Sequence, residues 1–234
     1  GARAGMRRGI LFKNPSASGP SGHLQDLLVS GNTFVDVHEG IMLDGAKRDN
    51  GVQDLVLREN TFERHSSNAL IFTRDFTNLL IEQNDFGPYA GTDDRPAFVD
   101  KISSSQINVG NGLTIQNNSF DRETTVISLG NSGCTLSGIP VVANNSFTHR
   151  GMNLDGTVTG SGIAIKNQTA TLIDASANWY GTSDAANVAA AVTSSVVDYT
   201  PWLDVGTDDQ PTTPGFQGRF VTLHVAGASP QSGG

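Results

Sequence analysis

The stretch Leu113-Thr114-Ile115-Gln116-Asn117-Asn118-Ser119-Phe120 decides the fold, because the chain writes it again and again. The same eight-residue pattern reads LLVSGNTF at 27–34, LVLRENTF at 55–62, LLIEQNDF at 79–86 and PVVANNSF at 140–147. A degenerate copy, IDASANWY, spans 173–180. Its fixed points are Asn32, Asn60, Asn84, Asn118, Asn145 and Asn178, each followed two residues later by an aromatic: Phe34, Phe62, Phe86, Phe120, Phe147 and Tyr180. The apolar-x-apolar opening has the period of a short strand. Asparagine tolerates left-handed backbone and bonds its own main chain, so the bend is expected at the Asn itself. If the bends lie one above another, the asparagines form a hydrogen-bonded ladder and the aromatics an inward stack.

Successive asparagines are 28, 24, 34, 27 and 33 residues apart. That variation excludes a fixed-length repeat and suits coils whose loops differ while their strands stay in register. A second strand follows most aromatics, as in GIMLDG at 40–45, ALIFTR at 69–74 and GIAIKN at 162–167, with 97–102 and 125–130 as the equivalents in the third and fourth coils. GILFKN at 9–14 matches them without a preceding Asn-x-Phe, so further coils are expected upstream. The expected fold is all-β: a right-handed parallel β-helix, or solenoid, of about six to seven coils with a short C-terminal capping helix. At a strand spacing of ~4.8 Å such a stack is roughly 30 Å long. A β-sandwich also has evenly spaced strands, but it has no reason to repeat one turn residue and one aromatic at matched positions.

After the sixth copy the pattern stops. SDAANVAAAV at 183–192 reads as a short helix with Ser183 as its N-cap. With Tyr199, Trp202 and Leu203 it is expected to cover the open end of the solenoid, where backbone and apolar side chains need a lid. Residues 1–205 are therefore read as β-helix plus cap. Residues 206–234 are read as linker and tail, with 204–215 as linker and one strand at 220–225.

The net charge of −8 comes without any basic stripe, which argues against a nucleic-acid partner. The single cysteine, Cys134, cannot form an intrachain disulfide. No apolar run approaches the ~20 residues of a membrane helix, so membrane insertion is not expected.

The repeated strand-x-x-Asn-x-Phe unit resembles the parallel β-helix repeats of pectin-lyase-like proteins. Asn178-Trp179-Tyr180-Gly181-Thr182, followed by Asp198-Tyr199-Thr200-Pro201-Trp202-Leu203, resembles the end of β-helix modules in large bacterial surface or secreted proteins. The resemblance covers about residues 9–205. It implies an exported, extracellular or cell-surface location within a larger chain. For function it is broad, since the family holds lyases, hydrolases, esterases, epimerases, tailspikes and adhesins.

Enzymes of that family work from the outer face of a sheet, with carboxylates for acid and base work or with calcium and a basic residue. The best cluster for such chemistry is Asp93, Asp94, Asp100, Lys101 and Arg74, with Asp44, Asp75 and Arg95 as ligand-binding candidates. Routine surface pairing explains the same charges. His38, His65 and His149 each follow an Asn-x-aromatic turn and read as solvated loop residues. His23 and His224 show no evident partner, and Cys134 reads as a small loop or buried residue. The Asn-x-Ser patterns at Asn117 and Asn144 belong to the repeated turn. No metal site is assigned and no cofactor is expected, calcium entering only with a lyase-like site. The preferred expectation is a non-catalytic, structural or adhesive β-helix module that meets a polysaccharide or surface glycan. The alternative is a polysaccharide lyase or glycoside hydrolase acting on an acidic polysaccharide.

Overall fold

The computed structural model describes residues 8–13, 24–44, 52–73, 75–88, 90, 96–100, 109–123, 125–130, 135–152, 162–194 and 196–222. It is an all-β parallel solenoid built from three sheets. Sheet 1 contains Arg8–Lys13, Glu39–Asp44, Leu70–Phe72, Pro96–Asp100, Thr125–Leu129, Ile163–Asn167 and Val192–Thr193. Sheet 2 runs through Leu24–Ser30, Val52–Arg58, Phe76–Glu82, Val109–Gln116, Val141–Ala143, Ile173–Asp174 and Val197–Asp198, with Thr135–Ser137 also paired to Val109–Gln116. Sheet 3 holds Thr33–Val35, Thr61–Glu63, Asp85–Phe86, Ser119–Asp121 and Ser146–Thr148. These five strands mark about five full turns, fewer than the six to seven read from the sequence. The two turns after Ser146–Thr148 have no sheet 3 strand among the described residues, the first of them being joined there by the single bridge Ser146–Trp179.

Sheet 3 corrects the reading of the repeat. Phe34, Phe62, Phe86, Phe120 and Phe147 are not part of a turn; each sits on a short strand of its own. The left-handed residue is not the ladder asparagine but the one before it: Gly31, Glu59, Gln83, Asn117, Asn144 and Ala177 all have φ between 55° and 66°. Turning there frees each ladder asparagine to face inward. The residue before the Asn thus marks the bend, and the Asn is its internal fastening.

That fastening is continuous. The backbone N–H and Nδ2 of each asparagine donate to Oδ1 of the next, from Asn32 to Asn60 (3.1 and 3.0 Å), through Asn84 and Asn118, to Asn145 and Asn178 (2.8 and 3.1 Å). Asn60, Asn84, Asn118, Asn145 and Asn178 are fully buried. Buried polar groups persist only where they are bonded, and here each rung supplies the acceptor for the rung before it. The aromatics stack beside the ladder, with ring centroids 4.9, 4.8, 4.6, 5.4 and 5.5 Å apart from Phe34 to Tyr180. Gly40 is required at its position, because a Cβ there would run into the Phe62 ring.

The C-terminal end is closed by the helix Ala185–Ala190, whose Val188 is fully buried in the core. Its N-cap is Asp184, not Ser183: the Asp184 carboxylate accepts from the Asn187 N–H at 2.9 Å. Leu203 N–H donates to the Asn178 carbonyl just as Trp179 N–H does to Asn145, which puts buried Trp202 on the next rung. Tryptophan offers no acceptor, so the ladder stops there.

Residues 204–215 are not a linker. Asp208 Oδ1 accepts from the N–H groups of Gln210 and Gln217, and Asp209 N–H donates to the Gln217 carbonyl. The loop so formed lies back on the solenoid. Phe216 is buried, its N–H donates to the Asn117 carbonyl at 3.0 Å, and Gly215 N–H donates to Asp85 Oδ1. Gly215 has φ +81°, and a Cβ there would collide with the Asn117 carbonyl. Residues 220–222 form no strand; 223–225 lie outside the described residues.

Candidate functional site

The charged cluster singled out from the sequence falls largely outside the described residues: Arg74, Asp93, Asp94, Arg95 and Lys101 are not among them. The backbone of Asp100 pairs in register with Phe72 and Leu129. Asp44 lies one position beyond Leu43, which is the residue paired with Phe72. The two aspartates are therefore offset by one residue rather than laterally matched. Asp75 is half-buried, and its carbonyl accepts from Val52 N–H. Cys134, His23 and His224 are also outside the described residues.

The three histidines after the turns differ from one another. His38 is half-buried, with Nδ1 3.1 Å from Ser66 Oγ. His149 is exposed and lies 2.7 Å from Asp121 Oδ1. His65 is not a solvated loop residue: it is fully buried, 3.4 Å from an equally buried Glu123 two coils further on. The Glu123 oxygens have no hydrogen-bond partner among the described residues. Neither residue recurs at its position in other coils, so the repeat gave no sign of the pair.

Two surfaces carry the chemistry available for recognition. The first is the outer face of sheet 2. Register sets Gln25, Gln53, Thr77, Asn111 and Ser137 in one column and Leu28, Val56, Leu80, Thr114 and Val141 in a parallel one. The polar column is exposed or half-buried, and Leu28 is 56% exposed. Between them runs a column of left-handed positions, Asp26, Asp54, Asn78, Gly112 and Gly138, in which Asn78 Nδ2 donates to Asp54 Oδ1 at 2.7 Å. The result is amide, hydroxyl and carboxylate groups repeated about every 4.8 Å beside an apolar stripe.

The second is a groove of about 470 Å³ where the last coils meet the capping helix. His149, Arg150, Met152, Thr182, Asn187 and Ala190 line it. Arg150 lies three residues after Phe147, and its guanidinium donates to the Gly162 carbonyl and, at 2.8 Å, to the Tyr180 carbonyl. Burial pushes its pKa down from the usual arginine value, with the Tyr180 hydroxyl opposing in the other direction. Burial also pushes the Tyr180 hydroxyl far up, so it stays protonated and donates to the Ala175 carbonyl at 2.8 Å. Among the described residues no carboxylate lies within ion-pair distance of Arg150. The sequence shows Arg150 only as one arginine in a turn; its setting depends on the loop and helix folding around it.

No protein-family model, no curated protein and no solved structure matches the chain. Among the described residues no helix is long and apolar enough to cross a membrane.

Proposed function

We propose that this solenoid is a structural and adhesive module of an exported or cell-surface protein, of the pectin-lyase-like type, that holds a polysaccharide along the outer face of sheet 2. One observation carries the reading: the five-coil array of Gln25, Gln53, Thr77, Asn111 and Ser137 beside the stripe from Leu28 to Val141. A glycan chain is a linear repeat of hydroxyls and C–H faces. Amides and hydroxyls match the first, and aliphatic side chains the second. The ladder beneath keeps the array rigid, so little ordering entropy is lost on binding.

A panel of immobilised polysaccharides tests this. The protein should be retained on at least one, and Gln53→Ala with Asn111→Ala should weaken retention about tenfold, equivalent to roughly 1.4 kcal/mol. Lys166→Ala, an exposed change on sheet 1, should leave retention unchanged. Release of shortened chains from any polysaccharide would instead establish the lyase or hydrolase alternative. Retention that ignores the paired Gln53 and Asn111 substitutions would remove the assignment to sheet 2.

A further inference from the structure

We propose that the groove beside the capping helix is a binding site for a carboxylate-bearing ligand, with Arg150 as its anion receptor. Three features of the groove converge on this.

The first is fixation. Two carbonyls, from Gly162 and Tyr180, hold the guanidinium in place, and its remaining N–H groups have no partner among the described residues. A planar fork held still, with donors to spare, is suited to a planar carboxylate. The second is charge. A guanidinium withdrawn from water needs a counter-charge, or its desolvation is left uncompensated. The described residues lining the groove supply none. Of the acidic side chains on the lining elements, Asp121 is engaged with His149 at 2.7 Å and Asp184 with the Asn187 N–H at 2.9 Å. An incoming anion would therefore meet a guanidinium that no carboxylate of the described lining residues compensates. The third is the surround. Phe147 and Ala191 are fully or almost fully buried and form an apolar floor that strengthens any ion pair made above it. Thr182 and Asn187 offer neutral hydrogen-bonding groups at the wall. That pairing, one cation with neutral polar groups, fits a carboxylate attached to a hydroxylated body. A phosphate dianion asks for more positive charge than one arginine.

The carboxylate can come from a free small acid or from an acidic sugar within a chain. Titrations with acetate, D-glucuronate, D-glucose and inorganic phosphate separate these, read by calorimetry and by the Nε–H resonance of Arg150. D-Glucuronate should bind at least tenfold more tightly than D-glucose and should move the Arg150 resonance. Acetate binding as well as D-glucuronate points to a free acid; acetate binding tenfold more weakly points to a sugar acid. Either result supports the proposal. Arg150→Gln should remove the discrimination between D-glucuronate and D-glucose. Arg150 also ties two carbonyls, so Ala190→Trp, which fills the groove and leaves the guanidinium in place, provides a second variant with the same expected loss. Equal affinity for D-glucose, a still Arg150 resonance in the unmodified protein, or phosphate binding above D-glucuronate would overturn it. Gln53→Ala with Asn111→Ala should leave this binding intact, so its failure and that of the sheet 2 reading are distinguishable.

Discussion

Replacing Asn118 by alanine tests the physical basis of the fold at one atom group. Its Oδ1 accepts from both the backbone N–H of Asn84 (3.0 Å) and Asn84 Nδ2 (2.9 Å). Its Nδ2 donates to the Ile81 carbonyl, the Gln116 carbonyl and Asn145 Oδ1. Alanine leaves the fully buried Asn84 N–H without an acceptor, which costs about 1–3 kcal/mol. Each further hydrogen bond lost contributes about 1 kcal/mol. An expected loss of about 5–7 kcal/mol follows, a large share of a domain's stability. Asn32→Ala provides the internal comparison. Asn32 is exposed, and Asn60 Oδ1 still accepts from the residue 32 backbone N–H, so the cost there should stay below about 1 kcal/mol. Urea denaturation monitored by circular dichroism gives both values. Hydrogen exchange at the Asn84 amide shows whether the loss is local, since solenoids can open one coil at a time. Equal costs at Asn32 and Asn118, or a protected Asn84 amide in Asn118→Ala, would refute the claim that the ladder holds the coils.

Phe120 is buried and stacks on Phe86 at 4.6 Å and Phe147 at 5.4 Å, so Phe120→Leu should cost about 2 kcal/mol and Phe120→Ala about 3–5 kcal/mol in the same denaturation assay. His65→Leu strands the buried Glu123 carboxylate and should cost about 3 kcal/mol, most of it recovered in the double variant with Glu123→Leu. Asp85 has a raised pKa, mainly through burial beneath the returning loop, opposed by the Gly215 N–H and reinforced by the Asp208 carboxylate. The docked state therefore binds the proton more tightly than the undocked one. Docking should be strongest below the ordinary carboxylate range, weaken as pH rises from about 3.9 through the raised pKa, and stay weaker above it. Exchange of the Phe216 amide, corrected for intrinsic rates, should follow that course and lose it in Asp85→Asn.

The sequence announced the solenoid because its coils share one chemical requirement. Every bend buries the same amide and the same ring, so Asn and an aromatic recur at fixed separation even where the coil length changes. What it concealed was local. The bend residue varies from Gly31 to Glu59 to Ala177, since a left-handed position is satisfied by several side chains once neighbours fix the backbone. Sheet 3 was hidden because strands of two or three residues are too short to show alternation. The stretch at 204–215 looked like a linker by composition. Its Asp208 and Asp209 instead tie the chain on itself, and Phe216 anchors it. Arg150 and the His65–Glu123 pair were invisible for a different reason. Both arise from what a single coil does differently from the others, and a repeat advertises only what its copies have in common.

That returning loop changes how the molecule comes apart. In a simple stack each layer touches only the layers above and below, so it can peel from an end, one layer after another. Here the chain leaves the top layer at Leu203 and grips the layers of Asp85 and Asn117 well below it. The uppermost layer cannot lift away while that strap is seated, and the strap cannot be displaced by loss of the top layer alone. Peeling from this end therefore begins with release of Phe216, so the stack behaves like a bundle with a fastened clasp rather than a zip.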